Sequence, residues 1–468
     1  MGHSGWIAFL LPLLVYLLTL DGRASTSGVD AAITGTQYAL WKYGNFSLGT
    51  PPHLIASTID YGVYHGHAYS AIAPGMTLIS YPFAAFSFAA GFSVRVADEL
   101  FLSVAASIGI YFVYRISRLY AGTRVSLLVA LATAFGTPIW PFTSVVFENV
   151  LSMMFAVIAV YLVLKFSLRP TRLCLPLLAG ILLGLATFVE YAAALFLVPL
   201  VAFLWYRSRS AKGSVLLVLS FLTASALHAI YDFALFGNPL TLPEQLKAGA
   251  SSPLVGLLAS FNLWSAPIHV LFYLGSPYRG MLFLCPIMVL GLLAFVSNWK
   301  RTHLRAESIL FLTLAVLILV FYSAWSDWAG GLAYGPRFLT IASPFMLIPL
   351  APYLSRIHRN REWALFFGLV VYSSFIQGAG AMTTAYSAAG GSSVFQPLAL
   401  NIPWLLNSHL GLWWLTPNGS DAALLGYLAE AGVYLLIWVV IFFTIRSTIA
   451  GGAPNRGANS VHESSLQS

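Results

Sequence analysis

Apolar runs of about 16–22 residues follow one another along this chain, and short basic loops stand at every second connection between them. Few folds are compatible with that alternation. A run of this length crosses roughly 30 Å of hydrocarbon as a helix. With 24 Pro and 38 Gly, a barrel of alternating strands is not indicated. The composition agrees, because 59% of the 468 residues are hydrophobic and the mean hydropathy is +0.82, whereas soluble domains hold about 45–50% apolar residues. The chain reads as an all-α, polytopic membrane protein.

A net charge of +8 in a soluble protein would suggest a nucleic-acid partner, but here its distribution reports topology. The clusters Arg115/Arg118/Arg124, Lys165/Arg169/Arg172, Arg207/Arg209/Lys212, Lys300/Arg301/Arg305 and Arg356/Arg359/Arg361, with Arg446 and Arg456, are cytoplasmic by the positive-inside rule. Only Arg23, Lys42, Arg95, Lys247, Arg279 and Arg337 are then outside, together with every acid except Glu307, Glu362 and Glu463.

Twelve spans are expected: Gly5–Leu20, Leu100–Tyr114, Val125–Phe135, Val150–Leu164, Leu173–Phe188, Tyr191–Trp205, Val215–Phe236, Met281–Val296, Ser308–Trp325, Phe338–Leu354, Trp363–Met382 and Leu425–Phe443. Both termini are then cytoplasmic and the host is the cell membrane. Parity requires that the remaining apolar run, Met76–Gly91, does not cross but lies as an interfacial or re-entrant helix at the outer leaflet. The segment Gly5–Leu20 also has the shape of a signal peptide without a basic n-region, and either reading leaves Asp21–Pro74 outside. Residues 1–450 form one transmembrane domain with 21–97 as its outer loop, and 451–468 read as a disordered cytoplasmic tail. Cys174 and Cys285 fall in apolar runs and act as small hydrophobes. The internal repeats that mark many transporters are absent from the sequence.

The first outer loop concentrates candidate chemistry. Asp30 opens a helical stretch ended by Gly44, where it suits an N-cap or a general base near the bilayer. Asp60 precedes Tyr61-Gly-Val-Tyr64-His65-Gly-His67-Ala-Tyr69-Ser70. The His-x-His pair with a nearby Asp suits a divalent metal such as zinc, and equally an exposed turn. Glu148, at the outer mouth of a span, is either solvated or functional. Glu190, between two spans, reads as a connector residue. Arg279 and Arg337 break the charge pattern at the outer ends of spans, where a guanidinium grips a lipid phosphate or snorkels to headgroups. Trp140, Trp264, Trp325, Trp328, Trp413 and Trp414 crowd the outer side as belt residues or sugar-stacking faces. Asn45-Phe-Ser47 and Asn418-Gly-Ser420 are N-glycosylation patterns on that side.

From Val29 to about Pro352 these residues together resemble the GT-C class of membrane glycosyltransferases. That class includes protein O-mannosyltransferases and lipid A aminoarabinose transferases, and the likeness is nearest to prokaryotic galacturonosyltransferase-like or mannosyltransferase-like members. Asp30 with Tyr38-Ala-Leu40 resembles the family's first-loop acid and following helix. Ile59-Asp60-Tyr61, Gly66-His67-Ala-Tyr69-Ser70 and Ala73-Pro74-Gly75 resemble its next block. Gly136-Thr-Pro-Ile-Trp140-Pro141 leading to Glu148, Tyr231-Asp232, Arg279-Gly280, and Trp325 through Gly335-Pro-Arg337-Phe338 are similar to later signatures. One departure stands out: relatives carry Asp-Lys where this chain has Ala71-Ile72.

The resemblance implies a GT-C bundle of about twelve transmembrane helices with interfacial helices in the first outer loop. It further implies inverting transfer of a sugar from a polyprenyl-phosphate carrier to a glycan, lipid or protein acceptor on the outer face. On that expectation Asp30 is the base and Asp60 and Glu148 position the acceptor or a divalent metal. His65, His67 and Tyr69 line the substrate site, and Arg279 and Arg337 stabilise the departing phosphate. The rival reading is a transporter or lipid flippase without chemistry.

Overall fold

The computed structural model describes residues 3–21, 28–49, 60–239, 241, 260–331, 333–383, 397–407, 410, 412 and 420–451. The expected tail from residue 452 on, Trp413, Trp414, Asn418 and residues 242–259 of the second polar loop lie outside them. The described residues are helical apart from one two-stranded hairpin. In chain order stand α1 (His3–Leu18), α2 (Gly28–Tyr43), β1 (Tyr61–Tyr64), β2 (His67–Ser70), α3 (Pro74–Ala90), α4 (Val94–Ser117), α5 (Thr123–Phe135) and α6 (Asn149–Leu168). They are followed by α7 (Cys174–Val189), α8 (Leu197–Ser208), α9 (Ala211–Phe236), α10 (Ala266–Gly275), α11 (Ile287–Trp299), α12 (Thr302–Ala324), α13 (Asn360–Met382) and α14 (Ser420–Gly451).

Among the described residues seven helices are long and apolar enough to cross a bilayer: α4, α6, the run Tyr191–Ser208 that ends in α8, α9, α12, α13 and Leu425–Ala450 of α14. The other expected spans coincide with the shorter apolar helices α1, α5, α7 and α11 and with the helical stretch Ser343–Leu354. This is an integral membrane protein. Its centre is α5, α6 and their connection, where every residue from Val125 to Met154 is buried. Apolar residues all round a helix require burial on every side.

The connection itself was expected as an outer loop carrying a belt tryptophan. Instead it is sunk into the bundle, where Trp140 and Thr137 find hydrogen-bond partners. The Trp140 indole donates to Thr19 Oγ1 at 3.0 Å, and Thr137 Oγ1 donates to the Thr133 carbonyl at 2.7 Å. Trp140 is fully buried against Phe135 and Tyr434 and is therefore neither a belt nor a stacking residue.

The run expected not to cross forms α3, 17 residues with Pro82 inside. Pro74 at its first turn leaves no N–H to satisfy, and Gly91 closes it in the left-handed region at φ 74°. It packs on α2, α4 and α7, and α2 itself reaches the start of α4 through Gln37 Nε2, which donates to Asp98 Oδ1 at 3.2 Å.

The helices α7 and α9 pack closely. A Cβ on Gly180 would stand 2.3 Å from the Leu217 carbonyl oxygen, and one on Gly184 would stand 2.5 Å from Ala224 Cβ. Small residues four apart let two backbones meet where lipid supplies no hydrophobic drive. Gly180→Ala is expected to lower the thermal unfolding midpoint in detergent, at a cost of ~1–3 kcal/mol. Gly122→Ala, whose Cβ would meet nothing within 4 Å, should leave the midpoint unchanged, and equal midpoints for both variants would refute the close-packing account.

Candidate functional site

The hairpin carries Asp60 to its place. Tyr61 pairs with Ser70, and one step further the Ala71 N–H donates to the Asp60 carbonyl at 2.9 Å. The turn His65-Gly66 has φ 48° and 81°, the left-handed pair that a tight two-residue hairpin requires. Tyr64 donates to the Phe236 carbonyl at 2.8 Å and Tyr69 packs on the Phe236 ring, which moors the hairpin to the end of α9. Asp60 is thereby set beside Ala71-Ile72-Ala73, and α3 begins directly after them.

Gly75 decides how near that strip comes to the bundle. A Cβ there would stand 2.3 Å from the Phe188 carbonyl oxygen, at the end of α7. With hydrogen in its place the strip lies on the end of α7, next to Glu190.

A cavity of about 250 Å³ opens at this junction. Its polar wall includes Asp60, Glu148, Glu190, Asp327 and Arg337, and its apolar wall includes Phe321 and Trp325. Glu190 is almost fully buried, and its Oε1 accepts hydrogen bonds from Tyr322 (2.6 Å) and Asn149 (3.1 Å). Its Oε2 has no hydrogen-bond partner among the described residues. Burial pushes this carboxyl up to about 7, with the nearby Glu148 charge acting in the same direction and the Tyr322 and Asn149 hydrogen bonds opposing both. Glu148, immediately before α6, is likewise raised by burial, while Arg337 opposes and Asp60 adds to the rise.

The Arg337 guanidinium lies over the Phe147 and Phe338 rings, 4.9 and 4.4 Å from their centroids. Its buried Nε has no hydrogen-bond partner among the described residues. Among the described residues it is the only cation on the cavity wall, and Ala71-Ile72 form part of that same wall.

Several expected site residues lie elsewhere. Asp30 is fully buried, with Oδ2 3.6 Å from Arg95 Nε, and does not line the cavity. The same guanidinium meets Glu99 at 2.7 Å and Asp21 at 3.5 Å. His65 and His67 are exposed at the hairpin tip, outside the cavity, and Tyr69 serves the mooring on Phe236. Arg279 is fully buried, and its guanidinium donates to the backbone carbonyls of Gly331 (2.6 Å), Gly335 (2.7 Å) and Ala333, and to the Tyr278 hydroxyl (2.9 Å). Backbone oxygens and the Tyr278 hydroxyl thus take its Nη donors, while its buried Nε has no hydrogen-bond partner among the described residues. Among the described residues no three His, Cys, Asp or Glu side chains form a group able to hold a metal ion. Of the aromatic candidates Trp325 lines the cavity, whereas Trp264 is exposed and Trp328 stacks on His269.

Sequence reading passed over Glu190 as a connector and did not single out Asp327 or Tyr322. The available signal was an acid flanked directly by apolar runs, Phe188-Val-Glu190-Tyr191, because ionisable groups inside a bilayer protein are costly enough to mark function.

Residues 77–231 match the family model described as dolichyl-phosphate-mannose-protein mannosyltransferase. No curated protein matches the chain. Among solved structures, ArnT from Cupriavidus metallidurans bound to undecaprenyl phosphate aligns over 96% of this chain and 76% of its own, with TM-score 0.54 and 14% identity. The apo oligosaccharyltransferase of Archaeoglobus fulgidus aligns over 91% of this chain and 59% of its own, with TM-score 0.53 and 13% identity. AglB from the same organism, in complex with an inhibitory peptide and a dolichol-phosphate, gives TM-score 0.51 at 12% identity over 92% and 59% of the two chains. At such identities the likeness establishes the fold. The chain is thus similar to that mannosyltransferase family over residues 77–231, and it shares the fold of the ArnT and AglB structures.

Proposed function

We propose that the protein is an inverting glycosyltransferase that moves a sugar from a polyprenyl-phosphate carrier to an acceptor hydroxyl at the outer face of the cell membrane, with both chain termini inside. The observation that carries this reading is the cavity itself, in which one cation, Arg337, faces the carboxylates of Asp60, Glu148 and Glu190. The solved relatives of this fold that hold undecaprenyl phosphate or a dolichol-phosphate support the carrier class.

The chemistry follows from charge. The acceptor oxygen attacks the anomeric carbon, and the bond from that carbon to the phosphate oxygen breaks. The carrier phosphodiester, with one negative charge, leaves as a phosphomonoester that gains a second. Arg337, whose Nε has no hydrogen-bond partner and which forms no ion pair among the described residues, meets that growing charge. The acceptor's proton passes to Glu190 Oε2, whose carboxyl is held in place through Oε1. An affinity near the working pH suits a general base. Asp60, less buried and at the hairpin's foot, orients the acceptor. Asp30 and Arg279 act at a distance, Asp30 by tying α2 to α4 through Arg95, and Arg279 by shaping the backbone that leads into Arg337.

Incubation of purified protein with labelled polyprenyl-phosphosugars should release carrier phosphate, whereas a lipid flippase would release none. Glu190→Gln is expected to lower kcat about 100- to 10,000-fold, and Arg337→Gln about 100- to 1,000-fold. Glu190 must be deprotonated to act, so transfer should fall as pH drops through about 7, with the direction set by the raised affinity of this carboxyl. The profile should lose that limb in Glu190→Gln and keep it in Asp30→Asn. If the limb instead vanishes in Asp30→Asn alone, the base is Asp30.

A further inference from the structure

A second polar cavity lies at the other end of the same helices. It measures about 500 Å³. The helix α6 runs from Glu148, on the wall of the first cavity, to Ser167 and Leu168, on the wall of the second. Its 20 residues span about 30 Å at 1.5 Å per residue, which is the thickness of the hydrocarbon layer. The helix α12 makes the same link in reverse, with Leu304 and Glu307 at the second cavity and Phe321 and Tyr322 at the first.

The second cavity has two halves. Leu119, Leu164, Leu168 and Leu304 supply an apolar side, while Arg207, Arg301, His303 and Arg356 supply a basic one. Arg207 is neutralised by Glu307 at 2.9 Å. Among the described residues no carboxylate pairs with Arg301 or Arg356. The Asn298 amide donates to the Pro349 carbonyl at 2.9 Å, which turns its oxygen toward Arg356 Nη2 at 2.7 Å and fixes that guanidinium in place. Partial burial holds Arg356 below its usual affinity for a proton, and the Arg301 charge adds to that effect. Two adjacent cations beside a leucine wall are relieved by an anion that carries hydrocarbon.

We propose that this cavity binds the phosphodiester headgroup of an anionic phospholipid of the inner leaflet, with Arg301 and Arg356 on the phosphate and the leucines on the proximal acyl chain. Basic pockets between membrane helices recognise lipids in this way. The site is separate from the transfer chemistry and stands whether or not that reading holds.

The test measures the thermal unfolding midpoint of the full chain in phosphatidylcholine nanodiscs, with and without phosphatidylglycerol. It is repeated with inorganic phosphate added to pure phosphatidylcholine discs. Phosphatidylglycerol should raise the midpoint by several degrees, as ligand linkage requires. Arg301→Gln/Arg356→Gln should abolish the rise, and the exposed single change Arg301→Gln, which leaves folding intact, should reduce it. Arg169→Gln/Arg172→Gln, in a neighbouring basic loop outside the cavity, should keep the rise. An equal rise in the cavity variants, or its loss in the loop variant, would reduce the effect to general surface charge and overturn the site. A rise with inorganic phosphate alone would assign the cavity to the free anion and overturn the lipid. No rise in the unmodified protein would overturn both.

Discussion

One buried guanidinium ties the first polar interval to the bundle. Arg95, near the start of α4, lies within ion-pair reach of Asp21 after α1, Asp30 in the first turn of α2, and Glu99 one turn along its own helix. Removing the arginine from such a buried set leaves its carboxylates uncompensated, a penalty of about 3–5 kcal/mol. The cluster therefore over-determines where α2 leaves the membrane surface. The hairpin, α3 and the strip Ala71–Ala73 are then carried to the mouth of α7, and a second backbone contact joins Asp21 to Leu412 late in the chain.

That arrangement produces an acidic pocket with a single positive wall. Four carboxylates and one arginine share the cavity, and the acids differ in depth. Asp60 and Asp327 sit nearer solvent, whereas Glu148 and Glu190 are buried. Depth in turn sets their chemistry, because desolvation disfavours the charged form and an opposite charge restores it. Glu148 has Arg337 in its field, while Glu190 has two hydrogen bonds and a neighbouring acid. Burial thus raises the proton affinity of both side chains, and what opposes it differs between them. Ala71 and Ile72 fall on this same wall, whose one cation among the described residues is Arg337.

The bundle also has two chemically distinct ends. The helices α6 and α12 each connect the acidic cavity to the basic one, and both are apolar along the length between. Arg207, Arg301 and Arg356, from three of the basic clusters of the sequence, are walls of a cavity.

Much of this was legible in the sequence. Run length and mean hydropathy specified a helical membrane protein, and of the candidate residues Asp60, Glu148 and Arg337 meet in one cavity. Run length and hydropathy are sums over neighbouring positions, which a sequence displays directly. Tertiary structure alone decided that Asp30 faces Arg95, that Arg279 serves backbone carbonyls, that the histidines point away, and that Glu190 faces the cavity. Each of these outcomes depends on partners far apart in the chain, as Glu190 and Tyr322 are by 132 positions. Hydropathy reports how much of a side chain avoids water, and the identity of its partner is set only when distant helices close on one another.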